Sequence, residues 1–382
     1  MSVPRPRLLL LGDSLDVGGT EGQFVEIACG LDRLRWDIRV ACVRAAGPLR
    51  ARLEAAGLQP WSCGPSSLKS PGLPLAIIRL ARLLRRDGIQ LVHCFGFYSN
   101  TVGVLAARLA RIPAAIASQR DMGDLRPVLQ RRLHSMVLTL ATHVLVNSEA
   151  ISNRLSGSRA ARKGRVTVIP NGVDGARFRP ARQSGGGHSR VTIGTLANLR
   201  PEKGLQQLLA AAVRVARIAP QARFVIWGEG ALRSQLDAMI QALALTGTVE
   251  LRGATRDPNV ALRECDIFVL PSVSEASSNV VLEAMATALP VVATRIGGMP
   301  GLVDDHRTGI LVPPGDAPAL AQAILTLLEA PALAAEMGAR GRARALAEFG
   351  TARMIERIDT FYCRALGPAH GAPAPRETIL HA

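Results

Sequence analysis

The chain has 382 residues, too many for one ordinary hydrophobic core, and its 48% hydrophobic content is enough to fill two. Six scattered cysteines (Cys29, Cys42, Cys63, Cys94, Cys265, Cys363) form no CxxC pair, so neither a disulfide framework nor a zinc site is suggested and a reducing compartment fits best. The formal charge is +16: residues 1–170 hold 24 Lys and Arg against 11 Asp and Glu, or +13, and the remainder holds 22 against 19, or +3.

That asymmetry means the N-terminal half is expected to meet something anionic. No aromatic-interleaved basic motif or zinc-finger pattern points to nucleic acid, so the expected partner is an anionic membrane surface. The start, MSVPRPRLLLLGDS, is basic, but its apolar run is too short for a signal peptide, and no segment reaches the roughly 20 apolar residues of a membrane span. The expectation is a cytoplasmic protein, peripheral on the inner face of the plasma membrane.

In chain order, RLLLLG (7–12) reads as the first strand. It leads into DVGGTEGQ (16–23), where Gly18 and Gly19 let the backbone approach a phosphate or sugar closely, or simply make a tight turn. EGQFVEIACGLDRL follows as a helix and DIRVACV (37–43) as a strand. AIIRLARLLRRDG (76–88) and LRPVLQRRLHSMVL (125–138) mix arginines with aliphatics at helical spacing, as a membrane-surface helix does and as a solvated outer helix also does. IQLVHCF (89–95), AAIASQ (114–119), THVLVNS (142–148) and VTVIPNG (166–172) complete a first set of strands, with NTVGVLAARLARI as a helix among them.

ARQSGGGHSR (181–190) reads as a flexible linker. Beyond it the alternation restarts with VTIGTLAN (191–198), RFVIWGEG (223–230), TVELRG (248–253), DIFVLPS (266–272), PVVAT (290–294) and GILVPP (309–314). A long Ala/Leu/Arg helical region (317–366) and a tail that reads as disordered (367–382) end the chain. The expected architecture is α/β: an N-terminal Rossmann-like domain over 1–180, a linker over 181–190, a second over 191–345, and a C-terminal helix over 346–366 packing back on the first domain. Ligands of such sheets bind beyond the C-terminal strand ends, so two facing domains would hold a site in the cleft between them.

Lysine is rare, with Lys69, Lys163 and Lys203 beside 43 arginines, which draws attention to NLRPEKGLQQLL. Pro201 suits a first helical position, placing Arg200 and Lys203 at a helix N-terminus, where cations sit badly against the dipole unless an anion or a neighbouring acid such as Glu202 joins them. In SEASSNVVLEAMA (274–286), Ser278 is expected to cap a helix whose N–H groups near Asn279 and Val280 can meet an anion. Glu283 then lies on the second turn and Glu275 in the loop, and carboxylates accept hydrogen bonds from the vicinal hydroxyls of sugars. The two are poorly placed to oppose each other across a bond as a glycosidase pair would.

Together these stretches resemble the retaining glycosyltransferases of family 4, with the GT-B architecture of two facing Rossmann-like domains, over residues 8 to 360. GGTE (18–21), VNSEA (146–150) and VIPNGVD (168–174) match its N-terminal motifs; LRPEKG, WGEGALRSQL, CDIFVLPSVSEASSNVVLEAMATALPVVAT and TGILVPPGD match its donor-binding domain. The resemblance implies transfer of a hexose from a UDP- or GDP-linked donor to a saccharide or lipid-linked acceptor. It implies that Glu283 holds the ribose, Glu275 the transferred sugar, and Arg200 and Lys203 the departing diphosphate, with Gly18, Gly19, Gly228 and the turn Ser278–Asn279–Val280 contributing to the nucleotide-sugar site. No cofactor is expected, and the chain holds no DxD motif, so a metal-bound diphosphate is not expected either.

The chain also departs from the family. The family's usual arginine falls at Asn198, so Arg200 is expected to substitute. A frequent histidine near the reacting sugar is replaced by Arg120 in SQRD; arginine is no base at neutral pH, so Arg120 is expected to bind an anionic acceptor or a donor phosphate. Gly301 stands for a common acidic residue without evident consequence. His93 in LVHCF fits a family pattern and also fits a packed strand-end histidine. Two rivals stand beside this reading. A nicotinamide-dependent oxidoreductase needs GxGxxG, which DSLDVGGTEG does not supply; a non-catalytic nucleotide-sugar-binding homologue is told apart by binding without turnover.

Overall fold

The computed structural model describes residues 5–64, 69–124, 126–180, 190–255 and 257–368. The expected linker, except Arg190, and the expected tail beyond Pro368 lie outside those residues. The chain forms two compact units, one comprising residues up to Asn171 with those from Ala352 onward, the other Gly172–Thr351.

The first unit is built on strands β1 (Arg7–Gly12), β2 (Asp37–Cys42), β3 (Trp61–Ser62), β4 (Leu91–Cys94), β5 (Ala114–Gln119), β6 (His143–Val146) and β7 (Val166–Val168). They lie side by side in the order β3-β2-β1-β4-β5-β6-β7, all pairs parallel. Leu8 to Leu11 of β1 are buried on both faces, which is why parallel strands read as continuous aliphatic runs rather than alternating ones. β3 escapes such a reading because it has two residues on the sheet edge, held only by Ala41↔Trp61 and Cys42↔Ser62.

The second unit carries β8 (Val191–Leu196), β9 (Ala222–Trp227), β10 (Val249–Gly253), β11 (Ile267–Leu270), β12 (Val291–Thr294) and β13 (Gly309–Val312). Their order is β10-β9-β8-β11-β12-β13, again all parallel. Its core gathers Leu208, Leu209 and Val215 of helix Leu205–Ile218 on one side, and Val281, Leu282 and Met285 of helix Asn279–Ala286 lie in a separate apolar cluster with Phe268 and Leu270.

Residues 172–180 belong to the second unit, so the boundary falls earlier than the 180 expected. Val173 donates to Phe349 O at 2.8 Å, Thr351 donates to Val173 O at 3.0 Å, and Phe178 is buried in that unit's core. The helical region 317–366 is three helices, Ala317–Glu329, Pro331–Phe349 and Thr351–Leu366. Pro331 lacks the N–H that would continue the first, and Gly350 is extended (φ −60°, ψ 141°) where the second ends. The last packs into the first unit: Met354, Ile358, Phe361 and Tyr362 join its core, and Asp359 accepts from Trp36 Nε1 at 2.6 Å and Arg35 Nη2 at 3.1 Å.

No single described helix is long and apolar enough to cross a membrane. Helices Ala317–Glu329 and Pro331–Phe349 match in composition only as a pair, bent by 103°, and contribute Leu320, Ile324, Leu327 and Met337 to a buried core.

Candidate functional site

In the second unit the connections from β8 and β11, which are neighbours, run to opposite sides: β8 leads to β9 and β11 to β12. The loops leaving their C-terminal ends therefore diverge at a topological switch point, where open α/β sheets leave a crevice. The β8 loop supplies Arg200 and Lys203; the β11 loop supplies Ser272, Glu275 and Ser278. Lys203 Nζ lies 2.6 Å from Glu275 Oε2, with 21% and 13% of the two side chains exposed. Ser272 Oγ donates to the same carboxylate oxygen at 3.4 Å.

Backbone contacts lock this pair in place. Val273 N donates to Glu202 O at 2.8 Å, stitching the two loops together. Gly204 takes a left-handed conformation (φ 61°) with its Cα against Pro271 O; an added Cβ would lie 2.1 Å from that oxygen. Gly297, in the β12 loop at φ 47°, is tighter still, since a Cβ would stand 1.7 Å from Glu275 O. Both need glycine, and both hold the loop that carries Glu275.

The local structure around Lys203 differs from expectation. Pro201–Lys203 is a single 3-10 turn, and the long helix begins only at Leu205, because Gly204 reverses the chain between them. Lys203 nevertheless sits just before that helix, and its anionic partner is Glu275 rather than Glu202. Arg200 is exposed at the head of the turn. Ser278 stands at the N-cap position of helix Asn279–Ala286 and is buried, but its side chain makes no capping bond. Asn279 and Val280 start the helix, half-buried, and Glu283, also half-buried, follows on the next turn. Gly228 follows β9 at φ 150°, its Cα packed on Ala197 O of the β8 loop.

The first unit has its own switch point, between β1 and β4. Gly18 is extended (φ −162°) and stands at the N-cap of helix Gly19–Gly30 without a side chain; a Cβ there would meet only the movable carboxylate end of Glu21. Asp13 accepts from Ser99 N at 2.6 Å and Tyr98 N at 3.3 Å, satisfying the start of helix Phe97–Ala110. Arg120 follows β5, and its Nη2 donates to Asn171 Oδ1 at 2.6 Å. The guanidinium stands 5.8 Å from the Phe95 ring centroid, and its Nε is buried with no partner. Burial pulls the Arg120 pKa down to about 10, opposed by Tyr362 and Glu21; burial likewise raises that of Glu21.

His93 takes the packed alternative. It is wholly buried, Nδ1 2.5 Å from Tyr362 Oη and Nε2 2.7 Å from Ser118 Oγ, and burial holds its pKa well below the usual value. With both ring nitrogens engaged it has nothing to offer a ligand, which corrects the expectation of a contact there. Sequence reasoning missed Glu21, Asn171 and Tyr362 around Arg120; only GGTE and VIPNG, quoted as motifs, pointed near the first two. Among the described residues, no group of three or more His, Cys, Asp and Glu side chains is placed to hold a metal ion.

Two Rossmann-like units, the second with a lysine–glutamate pair at its switch point, define the GT-B class of fold. Residues 17–177 match the family model Glycosyltransferase Family 4 and residues 190–330 the model Glycosyl transferases group 1, and the chain belongs to this family. Among curated relatives, the phosphatidylinositol N-acetylglucosaminyltransferase gpi3 subunit of Schizosaccharomyces pombe is 27% identical over 60% of this chain and 52% of its own length. D-inositol 3-phosphate glycosyltransferase of Segniliparus rotundus is 30% identical over 67% of this chain and 62% of its own. The chain thus spans about half to three-fifths of these two relatives, whereas D-inositol 3-phosphate glycosyltransferase 2 of Catenulispora acidiphila, 26% identical, is matched over 91% of its length and 92% of this chain. Among solved structures, HepE of Anabaena in complex with UDP and glucose superposes with a TM-score of 0.83 at 23% identity, over 94% of this chain and all of that one, which establishes the fold.

Proposed function

We propose that the protein is a retaining glycosyltransferase that moves a hexose from a nucleoside diphosphate sugar to a saccharide or lipid-linked acceptor, without a metal ion. The observation that carries the reading is the largely shielded Lys203–Glu275 pair at the switch point, on the loop that leads into helix Asn279–Ala286. In the reaction the bond from the anomeric carbon to the diphosphate oxygen breaks, a bond to an acceptor oxygen forms, and the acceptor hydroxyl proton is released. Negative charge grows on the leaving diphosphate. Lys203, with Arg200 and the N-terminal turn of helix Asn279–Ala286, would stabilise it, as pre-placed cations and dipoles do in a partly dehydrated site. Glu283 would hold the ribose hydroxyls and Glu275 the sugar, exchanging part of its bond with Lys203 for the donor.

The Anabaena HepE complexes with UDP, with UDP and glucose, and with UDP-glucose support a uridine nucleotide as the first donor to try. A mass-spectrometric screen against nucleotide sugars, scoring binding and slow hydrolysis, tests the reading. Turnover of one donor is expected; binding with no turnover of any donor would make the protein a non-catalytic homologue.

We also propose docking on an anionic bilayer, in keeping with a peripheral place on the inner membrane face. Helices Leu73–Arg86 and Val128–Leu140 both pack on helix Phe97–Ala110. They expose Leu75, Ile78, Val128, Leu129, Met136 and Leu140 together with Arg79, Arg82, Arg131 and Arg132, and none of these four arginines has an acidic partner among the described residues. Exposed aliphatics among unpaired cations suit a bilayer surface. Flotation with anionic vesicles should succeed at low salt and weaken as salt rises, with no binding to zwitterionic vesicles. Indifference to anionic vesicles at low salt would sink this part.

A further inference from the structure

Arg120 is an unusual cation for a protein surface or interior. A guanidinium carries five N–H donors, and among the described residues one of them is used, by the neutral amide of Asn171. Its Nε is sealed from solvent without an acceptor, and no carboxylate of the described residues lies within ion-pairing distance. A partly desolvated, unpaired charge is costly, and such groups persist where a ligand completes them.

Three of the acids in this region are engaged elsewhere. Asp13 is spent on the N–H groups of Ser99 and Tyr98, Asp16 pairs with Arg44 at 2.5 Å, and Asp121, the next residue in the chain, pairs with Arg126 at 2.6 Å. Glu21 alone among nearby acids keeps an electrostatic influence on Arg120 without a direct bond to it. The surroundings come from four strand ends of the first sheet: the start of helix Gly19–Gly30 after β1, Phe95 after β4, Arg120 itself after β5, and Asn171 after β7. Convergence of loops at the C-terminal edge of a parallel sheet is where such folds bind small molecules.

We infer that Arg120 receives an anionic group, a phosphate or a carboxylate, carried by the acceptor. The inference rests on the transfer reading above and narrows its acceptor to a charged one. An arginine fork matches the planar or trigonal oxygens of either group, and charge-assisted bonds in a partly dry setting are the strong kind. Glu21 tunes the site in the opposite sense, because its carboxylate repels the same anion.

The test is calorimetric binding of four probes, a hexose phosphate, a hexuronic acid, the neutral hexose and UDP, to the wild type, Arg120→Gln, Arg120→Lys and Glu21→Gln. The wild type should bind at least one charged sugar about tenfold or more tightly over the neutral one, and which one responds separates phosphate from carboxylate. Arg120→Gln should bring charged and neutral sugars within about twofold, Arg120→Lys should fall between, and UDP affinity should be the same in all four proteins. Glu21→Gln, which leaves Arg120 in place, should tighten the charged sugar severalfold and reads the site even if Arg120→Gln does not fold. No preference for either charged sugar in the wild type, a preference that survives Arg120→Gln, or a loss of UDP affinity in that variant would each overturn the inference. Failure of the wild type to bind UDP or any nucleotide sugar is a separate outcome, and it would remove the transfer reading itself.

Discussion

The two units share a doubly wound parallel topology but finish their switch points differently. In the second, a cation and a carboxylate from loops 72 residues apart meet at 2.6 Å, so the site is close to neutral at rest. In the first, Arg120 leans on an amide while Asp13, Asp16 and Asp121 serve other donors. The fold decides where a ligand can enter; the pairing of side chains decides what charge it must bring. A neutral pair suits a donor whose charge changes during reaction, and a standing positive charge suits a partner that is anionic throughout.

The largest expected effect breaks the pair in the second unit. Lys203→Ala should lower kcat by about two to three orders of magnitude, the scale seen when a group that stabilises developing charge is removed, while UDP affinity changes only a few-fold. Glu283→Ala should do the reverse, weakening UDP about tenfold or more with a smaller loss of kcat. Equal loss of both quantities in both variants would erase the division between charge stabilisation and ribose binding.

Next in size is a change confined to the first unit. Asp359, with 5% of its side chain exposed, accepts from Trp36 and Arg35, and Asp359→Ala would strand both donors. We expect a loss of about 3 kcal/mol in urea unfolding. If the units unfold in separate steps, only the step reported by first-unit probes should move; an equal shift in both would mean that they unfold as one.

The smallest effect is graded with pH and again belongs to the first unit. Burial holds His93 well below its ordinary value of 6.5 and His134 down at about 3, whereas His306 of the second unit is exposed. A base whose folded pKa is depressed binds its proton more readily when unfolded. The stability it confers is complete above pH 6.5 and is lost as pH falls from there toward the folded values, by up to about 1.4 kcal/mol per pH unit for each imidazole. Unfolding midpoints at about pH 7 and about pH 6, between which the two rings together lose about 1.4 kcal/mol, check this. A first-unit midpoint that does not fall would contradict the burial of these rings.

Much of the fold was legible because buried parallel strands are runs of aliphatic residues. All twelve expected strands lie within the observed sheets to within a few residues, and β3 alone was missed, being two residues on an edge. The domain limit near 180 was drawn at the visible Gly/Ser stretch, but residues 172–180 follow their hydrogen bonds to Phe349 and Thr351 instead. Pro201 does take a first helical position, but of a 3-10 turn only, because Gly204 turns left-handed against Pro271 and splits that turn from the long helix.

Sequence by itself determined the α/β class, the strand-ending loops that carry Lys203 and Glu275, the helix that carries Glu283, and the family to which these motifs belong, because each depends on residues close together in the chain. Only the tertiary structure decided that Lys203 chooses Glu275 over the adjacent Glu202, that His93 is enclosed by Tyr362 and Ser118, and that Arg120 pairs with no acid among the described residues. The reason is that partner choice among charges is a competition. Several acids stand near each cation in the chain, and only the packed loops show which of them are already taken.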